Sequence, residues 1–256
     1  MRPAALSEVA RALGARLHGT DGGEQVRGAA VDSRVVRGGE LFFALRGRLD
    51  GADFAPEARA RGAVAAVADR PLEVPTLVVE DPLRALQELA RWSLSREASA
   101  TVVGITGTVG KTTTKDALAT ILRAAGRKIT ATEGNLNNEI GLPLTVLNAA
   151  PGTEVMVLEM GATHPGDIAF LCGIARPQVG ILTAISPVHL DSFGSLEKLA
   201  ETKGELARSL PQDGAFVSPV GVPEAALGAG RGFGLHITFG EEGLSLIHIS
   251  EPTRPY

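Results

Sequence analysis

The sequence predicts an α/β protein with two parts. A small N-terminal α/β domain precedes a doubly wound, mostly parallel central domain of the phosphate-loop type, incomplete at its C-terminal end. Three observations carry this. From Thr101 onward, short apolar β-branched runs alternate with helical patterns, which implies a parallel sheet. The stretch Ala100–Lys115, ATVVGITGTVGKTTTK, sets a strand, a glycine turn and a helix start in succession. Ahead of it lies a separate set of shorter elements, closed by the polar stretch Ser95–Ser99, which reads as a linker.

The bulk composition agrees. At 256 residues, with 44% hydrophobic and 21% charged residues, the chain has globular values and enough length for one or two domains. A net charge of −4 argues against nucleic acid as an electrostatic partner. No apolar run has the length of a membrane span, and the N-terminus lacks a signal-type apolar core. The single cysteine, Cys172, lies in an apolar stretch and reads as a buried, inert thiol. Together these point to a cytoplasmic protein with no membrane partner, and a monomer is the expected state.

In the first part, residues 1–98, Leu6, Val9, Ala10 and Leu13 give an opening helix. Val26–Val31 and Leu41–Leu45 read as strands, Phe54–Arg61 as a helix, and Ala63–Ala68 and Thr76–Val79 as strands. Asp81-Pro82 starts a helix that runs to about Arg96. In the second part, strands are expected at Thr101–Ile105, Lys128–Ala131, Glu154–Glu159, Val179–Ala184 and about Gly214–Val217. The helix after the glycine turn carries Ala117, Leu118, Ile121, Leu122 and Ala125 on its apolar face and ends at Gly126.

The glycine turn Gly107-Thr108-Val109-Gly110, followed by Lys111-Thr112-Thr113, has the chemistry of nucleotide phosphate binding. Backbone N–H groups and a helix N-terminus face phosphate oxygens, Lys111 adds a point charge, and the Thr112 hydroxyl suits Mg²⁺. Ile105 stands where the usual pattern has its first glycine; Gly104 and Gly107 flank it.

Ligands of doubly wound sheets collect at the carboxyl ends of the strands. Glu159 ends an apolar strand there, as a Mg²⁺ ligand or as the start of a turn. His189 follows the Val179–Ala184 strand, as a metal or phosphate ligand or a solvated loop residue. The amide-rich run Thr132–Pro143 binds a ligand or stabilises turns. On the expected Ser195–Leu210 helix, Lys203 falls in the stripe of Leu196, Leu199, Ala200, Leu206, Ala207 and Leu210. It either snorkels out or is desolvated, and a neutral amine there could take up CO₂ as a carbamate.

These pieces together resemble the Mur ligase family, over residues 1 to about 243. The resemblance rests on Gly104–Thr113, on Thr132–Pro143, on Val157-Leu158-Glu159-Met160-Gly161-Ala162, and on His189–Ser195 with Lys203-Gly204-Glu205. In the first part it rests on Asp32-Ser33-Arg34, Leu41–Leu45, Gly47 and Asp50-Gly51. The resemblance implies ATP-dependent amide formation through an acyl phosphate in peptidoglycan precursor synthesis. The Phe-Gly-Ser and Lys-Gly-Glu pieces point to the branch that joins D-alanyl-D-alanine to UDP-N-acetylmuramoyl-tripeptide. The related branch that adds the third peptide residue is the alternative.

The resemblance also implies the site. Gly107, Thr108, Val109, Gly110, Lys111, Thr112, Thr113 and Asn138 bind ATP; Ser33, Arg34 and Asn135 bind the UDP substrate. Lys111, Lys203 and His189 are catalytic. Thr112, Glu159, His189 and the carbamate of Lys203 hold Mg²⁺. It implies domains at 1–98 (UDP substrate) and 99–243 (ATP), with the family's C-terminal domain absent. Residues 244–256 break from the preceding composition and are expected to be a non-native tail. A nucleotide-binding or regulatory module without amide synthesis is the reading from another class.

Overall fold

A computed structural model describes residues 1–97, 100–187, 193–228, 233–240 and 243–248. In the first part, α1 (Leu6–Ala12) buries Leu6, Val9 and Ala10, the residues that repeat at helical spacing. A five-stranded sheet follows, built from β2 (Arg16–His18), β4 (Gly28–Ala30), β5 (Glu40–Phe43), β6 (Ala65–Ala68) and β7 (Thr76–Val78) in the order β2-β7-β6-β5-β4. All pairs are parallel except β2 with β7. The helix α2 (Ala55–Ala60) buries Ala55 and Ala58, which pack with Phe42, Ala44 and Ala66. The helix α3 (Pro82–Ser95) starts as expected: Asp81 accepts from the N–H groups of Leu83 and Arg84, and Pro82 occupies the first turn.

The strand expected over Val26–Val31 is two. Gln25–Val26 (β3) pairs with Ala4–Ala5 (β1), whereas β4 pairs with β5. The chain changes partner at Arg27, whose N–H bonds the Gly39 carbonyl. Beyond it, the Asn148 amide accepts from Ala29 N–H at 3.0 Å and donates to Ala29 C=O at 2.8 Å, imitating a further strand. Gly28 leaves room for that amide, since a side chain there would strike the Asn148 oxygen. By contacts, Pro143–Pro151 groups with Met1–Ala98 as one compact unit, and Ser99–Leu142 with the chain from Gly152 as the other.

The second unit is a seven-stranded sheet. Its strands are β8 (Thr101–Thr106), β9 (Ile129–Ala131), β10 (Val155–Glu159), β11 (Val179–Leu182), β12 (Ala215–Pro219), β13 (Leu235–Gly240) and β14 (Gly243–His248). They lie in the order β14-β13-β12-β11-β8-β10-β9. All pairs are parallel except β13 with β14. The strands alternate with α4 (Lys111–Ala124), α6 (Asp167–Ala175) and α7 (Leu196–Arg208); α5 (Gly141–Leu147) precedes β10. The order reverses at β8, which lies between β10 and β11, and the crevice at such a reversal is where doubly wound sheets bind ligands.

Two expectations need correction. The helix α4 is turned from the predicted face: Ala117, Ile121 and Ala125 are exposed, and it is Lys115 and Ala119 that are buried. Leu118 and Leu122 do pack on Val103, Ile105 and Val157. A buried lysine on the inner face shifts the apparent apolar stripe when only hydrophobic residues are counted. The strands proposed from the sequence stop at about Val217, with the sheet cut short after Phe239-Gly240 and a C-terminal strand kept only as the alternative to a non-native tail. Instead β13 extends the sheet and Gly243–His248 pairs antiparallel along its outer edge. A strand edge presents unpaired backbone groups, which such a partner strand satisfies.

Candidate functional site

The register puts Glu159 beside Ile105 and Leu182 beside Thr106, so β8, β10 and β11 end together. The glycine turn leaves β8 at that rim. Gly107 (φ 145°) and Gly110 (φ 82°) take backbone angles that residues with a Cβ rarely adopt. A Cβ on Gly107 would also collide with the Thr183 hydroxyl, so the turn needs glycine there on two counts. Gly104 has another task. It lies in β8, and a Cβ would press on Leu206 at 3.0 Å and Met160 at 3.2 Å, so it lets α7 and β8 approach.

The exit of β11 braces the turn. The Thr183 hydroxyl donates to Val109 C=O at 2.6 Å, Thr108 N–H donates to Ala184 C=O at 3.0 Å, and Ser186 N–H donates to the Thr108 hydroxyl at 3.0 Å. Gly110 supplies no side-chain cap to α4, so the helix presents its first-turn N–H groups and positive dipole end toward the rim. Lys111 Nζ folds over the turn, 3.1 Å from Gly107 C=O.

Glu159 is 3% exposed and fully engaged. Its Oε2 accepts from the Thr112 hydroxyl at 2.9 Å and its Oε1 from Asn137 Nδ2 at 2.8 Å. Its N–H donates to the Thr132 hydroxyl at 2.9 Å. Buried Lys115 donates to Thr132 C=O at 2.8 Å and pairs with Asp116. One network thus joins α4, the end of β10 and the loop after β9.

Lys203 is 3% exposed, which decides between the two readings of its position on the helix: it does not snorkel. Burial, and then the nearby charge of Lys111, depress its pKa to about 8. Its Nζ stands 5.9 Å from the centre of the Phe193 ring. Lys111 and Lys203 line one cavity of about 280 Å³, together with Thr108, Asn137, Asn138 and Asp167. Two residues from Lys203, Glu205 accepts from the N–H groups of Gly166 at 2.7 Å and Ala169 at 2.9 Å.

The remaining expected residues divide. Val109 and Thr113 sit exposed on the phosphate turn and first helical turn. Asn135 is exposed in the loop after β9. Asn138 lines the cavity, but its side-chain oxygen is spent on the N–H groups of Ile140 and Gly141, so the turn-stabilising reading of that run has a physical basis. His189 lies outside the described residues. In the first unit, Ser33 is buried and donates to Glu57 at 2.7 Å, while Arg34 is exposed and paired with Asp32 at 2.6 Å. That pairing, with the backbone N–H of Arg34, holds the Asp32 carboxyl down at about 2.

Sequence reasoning missed Asn137, Thr132, Lys115 and Glu205. In the sequence, Thr132 and Asn137 stand out only as part of the Thr132–Pro143 run, Glu205 only as part of the Lys203-Gly204-Glu205 triplet, and Lys115 only as a lysine inside a helix. Among the described residues, no three His, Cys, Asp or Glu side chains gather as a metal cluster.

Comparison with known proteins agrees with this architecture. Residues 25–92 match the Mur ligase family catalytic domain, and residues 105–250 match the Mur ligase middle domain. The UDP-N-acetylmuramoyl-tripeptide--D-alanyl-D-alanine ligase of Escherichia coli K12 is 39% identical over 215 residues, 83% of this chain and 47% of the relative. That of Bacillus subtilis 168 is 40% identical over 198 residues, 75% of this chain and 43% of the relative. Among solved structures, MurF from Acinetobacter baumannii superposes with TM-score 0.82 at 30% identity, over 95% of this chain and 55% of that one. MurF ligase from Thermotoga maritima, solved with ADP, gives 0.74 at 40% identity, over 86% and 51%. The chain spans about half the length of the curated relatives it matches. With more than half of its residues inside the middle-domain match, this chain belongs to the Mur ligase family.

Proposed function

We propose that the chain is the substrate- and ATP-binding part of a cytoplasmic, monomeric ligase. It joins D-alanyl-D-alanine to UDP-N-acetylmuramoyl-tripeptide at the expense of ATP. The observation that carries this reading is the convergence of Lys111, the Thr112–Glu159–Asn137 network and buried Lys203 on one rim. The relatives of similar sequence carry that activity in their names.

In this reading residues 1–98 hold the UDP substrate, with Ser33 and Arg34 at its uracil and diphosphate end, and Asn135 is a substrate-binding residue of the central domain. Residues 99–243 hold ATP. The turn from Gly107 to Gly110, with Thr113 and Asn138, cradles the phosphates, and Lys111 offsets charge on the phosphoryl group as it moves. The tripeptide carboxylate takes that group from ATP and releases ADP. The dipeptide amine then attacks the acyl phosphate carbon and expels phosphate.

The residues fit Mg²⁺. Thr112 and Glu159 offer hard oxygen donors, and Mg²⁺ ordinarily takes one or two carboxylates and completes its shell with phosphate and water. Bound there, it would neutralise phosphate charge. Glu159 and Thr112 would hold it, with His189 and a Lys203 carbamate as further ligands. A Lys203 amine with its pKa at about 8 is neutral often enough near neutral pH to take up CO₂.

The test is ADP release by the whole-length protein. Release that requires both UDP-tripeptide and D-alanyl-D-alanine supports the reading. Turnover with a free diamino acid reassigns the chain to the branch that adds the third residue. Binding of Mg-ATP and UDP-sugar without amide synthesis makes it a nucleotide-binding module, and no ATP binding overturns both.

A further inference from the structure

The triplet Lys203-Gly204-Glu205 sits in the middle of α7, where successive side chains point about 100° apart. Each of the three meets a different neighbour. Lys203 lines the cavity with Lys111. Gly204 faces the 3-10 turn Glu224–Leu227, where a Cβ would collide with Ala225 C=O and reach Ala226 Cα at 3.0 Å. Glu205 reaches α6.

That last contact is specific. The N-cap position of α6 is Gly166, in a left-handed conformation (φ 93°) with no side-chain cap. The two Glu205 oxygens take over the role, accepting from Gly166 N–H at 2.7 Å and Ala169 N–H at 2.9 Å. An anion at a helix N-terminus, bonded through both oxygens, is a strong and directional link. Asp167 faces the other way: it accepts from the N–H groups of Thr163 and His164, both at 2.8 Å, and folds the preceding loop onto the same helix start. Thr163, Asp167 and Phe170 all line the cavity that holds Lys203.

We propose that Glu205 is a positioning residue: it locks the start of α6, and with it the cavity wall of Thr163, Asp167 and Phe170, to the helix that carries Lys203. It acts through α6 and touches no reactant. Glycine at the α6 cap fits this arrangement, because a self-capping residue would remove the need for a carboxylate from α7. The phosphate turn is braced separately, by Thr183 and Ser186, so Glu205 governs the Lys203 side of the cavity and leaves phosphate binding alone. The proposal rests on the ligase reading for its effect on rate, but the link itself does not.

The experiment has two arms. In this chain, Glu205→Ala should speed amide hydrogen exchange at Gly166 and Ala169 by at least about tenfold, with ADP affinity within about twofold of the parent. Glu205→Gln, which keeps one acceptor oxygen at full reach, should fall between. In the whole-length protein, Glu205→Ala should lower kcat for amide formation about tenfold with KM for ATP within about twofold, and Glu205→Gln should recover most of it. Unchanged exchange at both amides, or a parental kcat in Glu205→Ala, overturns the proposal. So does a parallel loss of kcat and ATP binding, which marks a general packing defect. If Glu205→Ala does not fold, the same comparisons on Glu205→Gln decide. A parent protein that makes no amide sinks the ligase reading, and the exchange arm then still judges the link.

Discussion

Replacing Asn137 with alanine should separate metal binding from phosphate binding. The Asn137 amide is one of two side-chain donors to the buried Glu159 carboxylate, at 2.8 Å on Oε1, while Thr112 holds Oε2 at 2.9 Å. A hydrogen bond to a charged group contributes about 1.5–3 kcal/mol. At about 1.4 kcal/mol per tenfold, its loss corresponds to roughly 10–100-fold in any equilibrium that needs Glu159 aimed correctly. Residues that orient metal ligands typically show a loss of about that size when removed. The fold should survive. The Asn137 backbone C=O keeps its bond from Gly161 N–H at 2.8 Å, and the Glu159 N–H keeps the Thr132 hydroxyl at 2.9 Å. Calorimetric titration of ADP into Asn137→Ala, with and without Mg²⁺, is the assay. The Mg²⁺-dependent gain in affinity should fall roughly 10–100-fold, and metal-free ADP should bind as in the parent. Equal weakening with and without Mg²⁺ would mean that Asn137 shapes the phosphate turn. Parental binding under both conditions would mean that Glu159 needs no aiming. Either result refutes the reasoning.

Two further predictions concern stability. In CO₂-free buffer, Lys203→Met should be more stable than the parent at pH 7 by about 3 kcal/mol, because the native pKa near 8 lies below the ordinary 10.5. With the native pKa depressed, the unfolded chain binds the proton more readily between these values. Parental stability therefore rises with pH from about 8 to 10.5, and the gap to Lys203→Met closes over that range; urea melts at pH 7, 9 and 10.5 check it. Arg176 ends α6 in a left-handed conformation (φ 48°), the one non-glycine residue among those described with positive φ. Arg176→Gly should gain about 0.5–1 kcal/mol by removing that cost, measured as a rise in Tm, and a fall in Tm refutes it.

Much of the fold was legible in the chain because its signals are local. The run ATVVGITGTVGKTTTK announces strand, turn and helix through β-branched residues, three glycines and two lysines within sixteen positions. The Asp81-Pro82 start of α3 follows from capping chemistry alone. The site was legible in its ends: Lys111, Thr112 and Glu159 stand where a glycine turn and an apolar strand stop. What joins them was not. Asn137 is one of three asparagines in a turn-rich run, and nothing local distinguishes the one that reaches Glu159 from Asn138, which caps a turn.

The sequence by itself determined the alternation of strands and helices, the phosphate turn and the family. These depend on side-chain periodicity and backbone stereochemistry over a few residues. Only the tertiary structure decided which side chains meet. It turned α4 to bury Lys115, gave Asn148 to the edge of the first sheet, and withdrew Lys203 from solvent. It also set Glu205 on the start of α6. Such contacts depend on burial and on partners tens of residues away. A lysine or glutamate reads the same in one dimension whether it faces water or caps another helix.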